Sequence, residues 1–227
     1  MGTGRRIAND AFPAFLYPFG GRYFAKGGTK PVLNSQEAVD ALKFMKGLLP
    51  YSDPQTTTWV HQFTDSILRG EIAMGIVWNG NIKDVDNPEK SKVVGKIDVM
   101  PYPTQKINFG AVSGAWFYAV SKFSKNNRLA DKFTDFATSF EAQKSATLNV
   151  GLPPTKLPVY LDPEVKKKDR LAEEYYNILS VAKTVRTNPK WMSMWTPVGT
   201  YLYMGVTGEI SPEDAIKRAY EEMLKVE

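Results

Sequence analysis

The chain has 227 residues, of which 43% are hydrophobic, 23% charged and 12% aromatic, a globular composition with room for one or two domains. It has no cysteine, which excludes disulfides and thiol chemistry. It has one histidine, His61, so a zinc site built from histidines or a Ser-His-Asp triad would have no second imidazole available. The net charge of +5 is spread along the chain, so no nucleic-acid-binding face is expected, and no apolar stretch is long enough to cross a membrane.

The first half of the chain predicts short helices followed by one buried strand. Aromatic residues interrupted by proline and glycine over 7–28 predict a short helix, then a turn and a small hairpin. Asn34 is predicted to cap the next helix. A further helix at about 59–69 is expected to end at Gly70. The apolar run 72–78 that follows predicts a buried strand.

The second half predicts two more strand regions and a series of helices. Short strands are expected at 96–101 and 107–120. The predicted helices run through 129–137, from the cap Ser139 to about 149, from Pro163, over 170–183, over 191–205 and from Ser211. Short strands alternating with helices favour an α/β fold.

Short motifs occur in one order along residues 10–225. They are FGG at 19–21 with PVLNSQEAV at 31–39, Phe63 with LRGEIAM at 68–74, GAW at 114–116 with AVSK at 119–122, SFEAQ at 139–143, GLPPTK at 151–156 and GEISPEDA at 208–215. Together these motifs resemble those of the extracellular solute-binding proteins of ABC transporters, in the sugar-binding branch that includes maltose-binding protein. Ala115 departs from the family pattern, in which a second glycine is common.

The resemblance implies a periplasmic-binding-protein-like (type II) α/β fold, with a short central sheet flanked by helices. It assigns residues 7–103 and 152–227 to the second, C-terminal ligand-binding lobe, and 107–150 to a strand-helix segment that normally completes the first lobe. By the same resemblance, the N-terminal segment that builds most of the first lobe in the family is expected to be missing from this sequence. Residues 1–6 are Gly-rich and basic without an apolar segment behind them, which is typical of an added or cut terminus rather than of a signal peptide.

A sugar presents apolar C–H faces and a rim of hydroxyls, which aromatic planes and polar side chains cover. Trp78 ends the predicted strand at 72–78 and is followed by Asn79 and Asn81, so a stacking plane and amide donors occur together. The alternative is a tryptophan that closes the core of the strand. Trp116 lies where the family often places a stacking tryptophan.

Trp191 and Trp195 open a predicted helix with a spacing that puts both on one face. By resemblance this position is similar to the aromatic cluster flanking the maltodextrin cleft, with Trp195 the preferred member; the alternative is a core face. Asp10 and Phe12 lie in a region that contributes ligand contacts in the family. No cofactor or metal is expected.

The predicted function is that of a carbohydrate receptor, for an oligosaccharide, in an ABC importer and without catalysis. The expected partners are the sugar, the membrane permease subunits, and a missing N-terminal lobe or a self-association partner, at a periplasmic or cell-surface location. Three alternatives stay open: an interaction domain that dimerises without ligand, a receptor for a polyamine or peptide, and a glycan hydrolase using two scattered carboxylates. Several aromatics and few clustered acids favour a sugar over a polycation.

Overall fold

The computed structural model describes residues 7–52, 60–108, 110–114, 117–184 and 188–226, without the side chains of 60–62. Helices dominate these residues. The α-helices are α1 (Pro13–Leu16), α2 (Gln36–Gly47), α3 (Val60–Leu68), α4 (Asn127–Ala137), α5 (Phe140–Val150), α6 (Pro163–Lys168), α7 (Ala172–Val181), α8 (Trp191–Thr207) and α9 (Pro212–Leu224). A π-helical turn lies at Ile7–Ala11, and 3-10 turns lie at Leu49–Tyr51, Asn79–Asn81 and Leu157–Leu161.

Side-chain caps fix where several helices begin. The hydroxyls of Ser139 and Ser211 accept hydrogen bonds from the amides three residues later, at 3.2 and 3.1 Å, which confirms the predicted starts of α5 and α9. The predicted cap of α2, Asn34, is wrong by one residue. Ser35 has the extended backbone of a cap, with φ −142°, and its hydroxyl accepts from the Ala38 amide at 3.3 Å. Both residue types cap well, so composition alone does not choose between them.

Glycines in the left-handed conformation follow several helices, and one of them is Gly151, the C-cap of α5, with φ +68°. Gly70 has φ +75° and follows α3, which confirms the predicted end of that helix, and Gly208 has φ +87° and follows α8. The helix predicted over 191–205 extends two residues further, to Thr207. Pro197 lies inside this helix, where it removes one backbone donor.

The strand predictions fail in the described part of the chain. Residues there at 72–78, 96–101 and 107–120 form no strand, and the predicted short central sheet is not found among the described residues. The prediction of a buried strand at 72–78 is wrong, because Met74 is 77% exposed. An apolar run becomes a strand only when a neighbouring strand supplies its hydrogen bonds, and none lies beside 72–78 within the residues described.

The β pairing among the described residues consists of two isolated bridges. Phe24 pairs antiparallel with Pro31, which confirms the small predicted hairpin. Val112 pairs in parallel with Lys183: the Lys183 amide donates to the Ala111 carbonyl at 3.0 Å, and the Ser113 amide donates to the Lys183 carbonyl at 3.0 Å. The segment before α4 is therefore tied to the segment after α7.

Buried apolar side chains form two separate clusters. The terminal core combines residues from 7–45 with residues from 191–226, and in it α8 packs against α9 and α2. The central core combines residues from 68–99 with residues from 140–179. α4 contributes no buried residue to either cluster. None of the helices in the described ranges is long and apolar enough to span a membrane.

Candidate functional site

Trp78 lies at the start of the 79–81 turn with 54% of its surface exposed. Its backbone is extended, and its carbonyl accepts a hydrogen bond from the Asn81 amide at 2.9 Å, which closes the turn. An indole plane held this way at the surface can cover the apolar face of a bound molecule. The turn therefore fixes the backbone of Trp78 while its indole ring stays exposed.

Asn79 ties this turn to the central core. Its Nδ2 donates to Tyr160 Oη at 3.0 Å, and its Oδ1 accepts from the Gly80 amide at 3.1 Å. Tyr160 is buried, and this burial raises the pKa of its hydroxyl well above the usual range, so the hydroxyl is protonated at neutral pH. A Cβ added at Gly80 would lie 3.3 Å from Pro153 Cγ, so the turn also packs closely on the segment after α5.

Asn81 carries a buried polar group with an unused donor. Its side-chain Nδ2 is buried and has no hydrogen-bond acceptor in the described part of the chain. Burying such a donor without an acceptor costs about 1–3 kcal/mol. Native proteins satisfy most of their buried polar groups, so this donor is expected to meet an acceptor from an ordered water or a bound molecule.

A cavity of about 130 Å³ lies beside the turn. Its walls come from the turn and the residues after it, from the end of α5 with the prolines that follow, and from the central core. The polar or charged side chains in the walls are Asn79, Lys83, Asp86, Thr147, Tyr160, Lys168, Asp169 and Tyr175.

The charged groups of this cavity have partners within the protein. Lys83 Nζ donates to the Val150 carbonyl at 3.3 Å, and Lys168 Nζ donates to the Leu148 carbonyl, so both lysines cap the C-terminal carbonyls of α5. Asp86 Oδ2 pairs with Arg170 Nε at 2.7 Å.

The remaining acid of the cavity is Asp169, which is partly buried. Its Oδ1 accepts from the Leu171 amide at 2.9 Å. Burial raises the pKa of Asp169, the nearby Asp86 carboxylate raises it further, and the Leu171 hydrogen bond opposes both effects. Each charged side chain of the lining thus has a protein partner.

Asp10 is positioned by a chain of hydrogen bonds that begins in the terminal core. Trp191 is only 2% exposed, and its Nε1 donates to Asn9 Oδ1 at 3.2 Å. The Asn9 side chain in turn donates through Nδ2 to Asp10 Oδ1 at 2.8 Å. Asn9 lies in the segment that the resemblance predicts to contribute ligand contacts, but its spacing does not show that it links Trp191 to Asp10.

Phe12 and Trp191 lie in the terminal core in this chain. Phe12 is fully buried and meets Tyr23 edge-on, with ring centroids 6.2 Å apart. Trp191 packs against the same tyrosine, with ring centroids 4.8 Å apart. Burial raises the pKa of Tyr23 well above its usual value, and the nearby Tyr17 and Asp10 raise it further. Both rings therefore belong to the core, and Trp191 is linked to Asp10 through Asn9.

Trp195 lies one helical turn after Trp191 but nearer to solvent. It is partly buried against the terminal core, beside the exposed Met192. Residues four apart in a helix are rotated by about 40°, which is enough to move the second ring from the core to its edge. Trp116 lies outside the described residues.

The described contacts bring the predicted residues together in two groups. Trp78, Asn79 and Asn81 lie on one turn at the central core, and Asp10, Phe12, Trp191 and Trp195 lie in or at the edge of the terminal core. Trp78 and Asn81 share one turn, and the charged side chains of the neighbouring cavity are paired within the protein.

The chain belongs to the bacterial extracellular solute-binding protein family, whose model matches residues 5–173. The family consists of substrate-binding proteins rather than enzymes, and its name gives its extracellular location.

Three similar proteins illustrate the relationship. Maltose-bound MalE3 of T. maritima is 27% identical with a TM-score of 0.83, over 95% of this chain and 56% of that one. A solute-binding protein of Agrobacterium radiobacter K84 in complex with ribitol shares the fold, with a TM-score of 0.82 at 21% identity over 100% of this chain and 58% of that one. A probable amino-acid periplasmic-binding protein of Sinorhizobium fredii is 27% identical over 66% of this chain and 33% of its own length. The chain thus spans between a third and three fifths of these relatives.

Proposed function

We propose that this chain is the ligand-binding C-terminal part of an ABC-importer receptor whose solute is a carbohydrate, an oligosaccharide or related polyol. The observation that carries the proposal is the exposed Trp78 ring at the start of a turn that also holds the buried, unused Asn81 donor. A sugar offers what both groups require, since its C–H face covers an indole and its hydroxyls accept from an amide.

The electrostatics of the turn and its cavity favour a neutral solute. An amino acid carries an ammonium and a carboxylate, and burying either without an opposite charge is costly. Lys83 and Lys168 donate hydrogen bonds to the C-terminal carbonyls of α5. Asp86 forms an ion pair with Arg170, and Asp169 accepts a hydrogen bond from a backbone amide. Binding a zwitterion would break these contacts, whereas binding a sugar leaves them intact.

The predicted residues take different roles in this proposal. The stacking planes are Trp78, Trp116 and Trp195, and the hydroxyl partners are Asn79, Asn81 and Asp10. Phe12 and Trp191 have a supporting role in the core. Trp191 donates a hydrogen bond to Asn9, and Asn9 donates one to Asp10.

The proposed receptor has two lobes, of which this chain supplies one nearly complete. Residues 7–103 and 152–227 form the second lobe, and 107–150 belongs to the first. The contacts between the Val112 and Lys183 segments support a crossing between lobes at this place. The full-length receptor delivers its sugar to membrane permease subunits.

Intrinsic tryptophan fluorescence and saturation-transfer NMR test the proposal. Maltose, maltotriose, ribitol and mannitol are titrated, with glutamate and spermidine as charged controls. One lobe cannot enclose a ligand, so a dissociation constant on the order of 1 mM or weaker is expected. Trp78→Ala and Asn81→Ala should each abolish the response, while Met74→Ala, a matched change at an exposed residue on the same segment, should leave it intact.

Two results would contradict the proposal. One is binding of glutamate or spermidine with no response to any sugar or polyol. The other is sugar binding that survives both Trp78→Ala and Asn81→Ala unchanged, which would remove the turn from the site.

A further inference from the structure

Asn79 is the one asparagine of this sequence that a glycine follows directly. In such a pair the backbone nitrogen of the glycine can attack the side-chain amide carbon of the asparagine, because glycine has no Cβ to obstruct the approach. Asn81, two residues later on the same turn, is followed by Ile82, whose branched side chain hinders the same attack. The turn therefore holds one reactive and one hindered asparagine.

The structure places the two reacting groups of this pair next to each other. The Gly80 amide donates to Asn79 Oδ1 at 3.1 Å, so the Gly80 nitrogen lies beside the side-chain carbonyl that it would attack. Both residues are half-buried, and Asn79 lines the cavity of about 130 Å³ beside the turn. Water therefore has access to the pair, and the side chain has space to rotate.

Tyr160 restrains the group that would leave. Asn79 Nδ2, which departs as ammonia in such a reaction, donates to Tyr160 Oη at 3.0 Å. The Asn79 side chain must rotate out of this contact before the Gly80 nitrogen can approach Cγ from above the plane of the amide. The hydrogen bond slows this rotation without preventing it, because the net contribution of a single hydrogen bond is small.

We propose that the Asn79–Gly80 pair is a site of spontaneous deamidation in the folded chain, and that the Tyr160 hydroxyl limits its rate. The Gly80 nitrogen forms a bond to Asn79 Cγ, the Cγ–Nδ2 bond breaks, and Nδ2 leaves as ammonia with the proton of the Gly80 amide. The product is a five-membered succinimide. Water then opens this ring at one of its two carbonyls, which gives aspartate or isoaspartate without any oxidation or reduction.

The two products differ in what they do to the turn. The carboxylate of an aspartate can accept from both the Gly80 amide and the Tyr160 hydroxyl, so both contacts survive. An isoaspartate instead lengthens the backbone by one carbon between the Trp78 carbonyl and the Asn81 amide, which are hydrogen-bonded at 2.9 Å. The isoaspartate therefore opens the turn and releases the backbone of Trp78.

The consequence for ligand binding rests on the proposed function, whereas the reaction itself does not. Trp78 and Asn81 are the proposed ligand contacts of this turn, so the isoaspartate form should lose the fluorescence response to sugar. Both products also add a negative charge to a cavity whose walls already hold Asp86 and Asp169.

Mass spectrometry of the full chain tests the reaction. The folded chain is kept for days in mildly alkaline buffer and then digested with trypsin at slightly acidic pH, so that digestion adds no deamidation. Cleavage after Arg69 and Lys83 gives one peptide that contains both asparagines. The mass gain of deamidation should accumulate at Asn79 and not at Asn81, and electron-transfer fragmentation should identify isoaspartate.

Two variants test the roles of the neighbouring groups. Gly80→Ala should remove most of the mass gain, because the added Cβ shields the nitrogen and lies 3.3 Å from Pro153 Cγ, which restricts the turn further. Tyr160→Phe should deamidate about fivefold faster, the rate factor for the loss of one hydrogen bond.

Hydrogen exchange of the Asn81 amide follows the turn itself. Protection of this amide should be lost in the isoaspartate form, which ion exchange separates from the unmodified chain. The matched control is freshly prepared Asn79→Asp, which has the charge of the product with a normal backbone and should keep the protection.

An Asn79 side chain that stays an amide in the folded chain throughout the incubation would overturn the proposal. Equal mass gains at Asn79 and Asn81 would overturn the role of Gly80, and an unchanged rate in Tyr160→Phe would overturn the restraint. All of these results are obtained without sugar, so failure here and failure of the proposed function are distinguishable.

Discussion

Replacing Gly205 by alanine should destabilise the terminal core, whereas the same replacement at Gly47 should stabilise it. Both glycines lie in helices, Gly205 in α8 and Gly47 at the end of α2. A Cβ built on Gly205 would lie 2.6 Å from Ala215 Cβ and 2.9 Å from Leu42 Cδ2. A Cβ built on Gly47 would meet nothing within 4 Å.

The magnitude follows from two opposing effects. Alanine favours the helix over glycine by about 1 kcal/mol in a helix interior and by less at a helix end. Overpacking a core costs typically 1–3 kcal/mol. Leu42 can rotate away, but the Ala215 methyl is fixed to α9 and moves only with that helix. Gly205→Ala should therefore lower the free energy of unfolding by about 1–2 kcal/mol, and Gly47→Ala should raise it by about 0.5 kcal/mol.

Urea unfolding followed by tryptophan fluorescence measures both changes, since Trp191 is buried in this core. The variant Ala215→Gly in the Gly205→Ala background removes the opposing methyl and should recover part of the lost stability. Equal stabilisation by alanine at Gly205 and Gly47 would refute the close helix packing on which this reasoning rests.

Three further predictions concern the site and its surroundings. Trp195→Ala in the full-length receptor should weaken sugar binding by about 1–3 kcal/mol in calorimetry, and an unchanged affinity would remove Trp195 from the site. Tyr160→Phe deletes the acceptor of the Asn79 amide and should cost about 1 kcal/mol of stability in urea, together with a weaker fluorescence response to sugar. Burial raises the pKa of Tyr17 from 10.0 to about 12, so its contribution to stability is complete below pH 10 and is lost as the pH rises to about 12. Unfolding midpoints across that pH range should fall less steeply for Tyr17→Phe, and an identical slope would argue against this source of alkaline sensitivity.

Local sequence signals predicted most helices correctly because the groups that begin and end a helix lie within a few residues of each other. Ser139 and Ser211 cap the amides of their own helices, and Gly208 follows α8 in the left-handed conformation. The family was also readable from the order of short motifs, as the family match over residues 5–173 confirms.

Pairing between distant segments was not readable in this way. The apolar run 72–78 has strand composition but no neighbouring strand among the described residues, and Met74 is exposed as a result. A strand is stabilised by its partners, so its own residues specify only a preference.

The sequence by itself determined the helices, the absence of thiol chemistry and the types of side chain available for a ligand. Only the tertiary structure decided which of those side chains reach solvent: Trp78 does, whereas Trp191 is covered by the terminal core and holds Asn9, 182 positions away in sequence. It also decided that the described residues leave uncovered the apolar stripe of α4, which its periodicity predicts to be a core face. The physical reason is that periodicity records which face of a helix is apolar, while burial depends on what distant parts of the chain bring against that face.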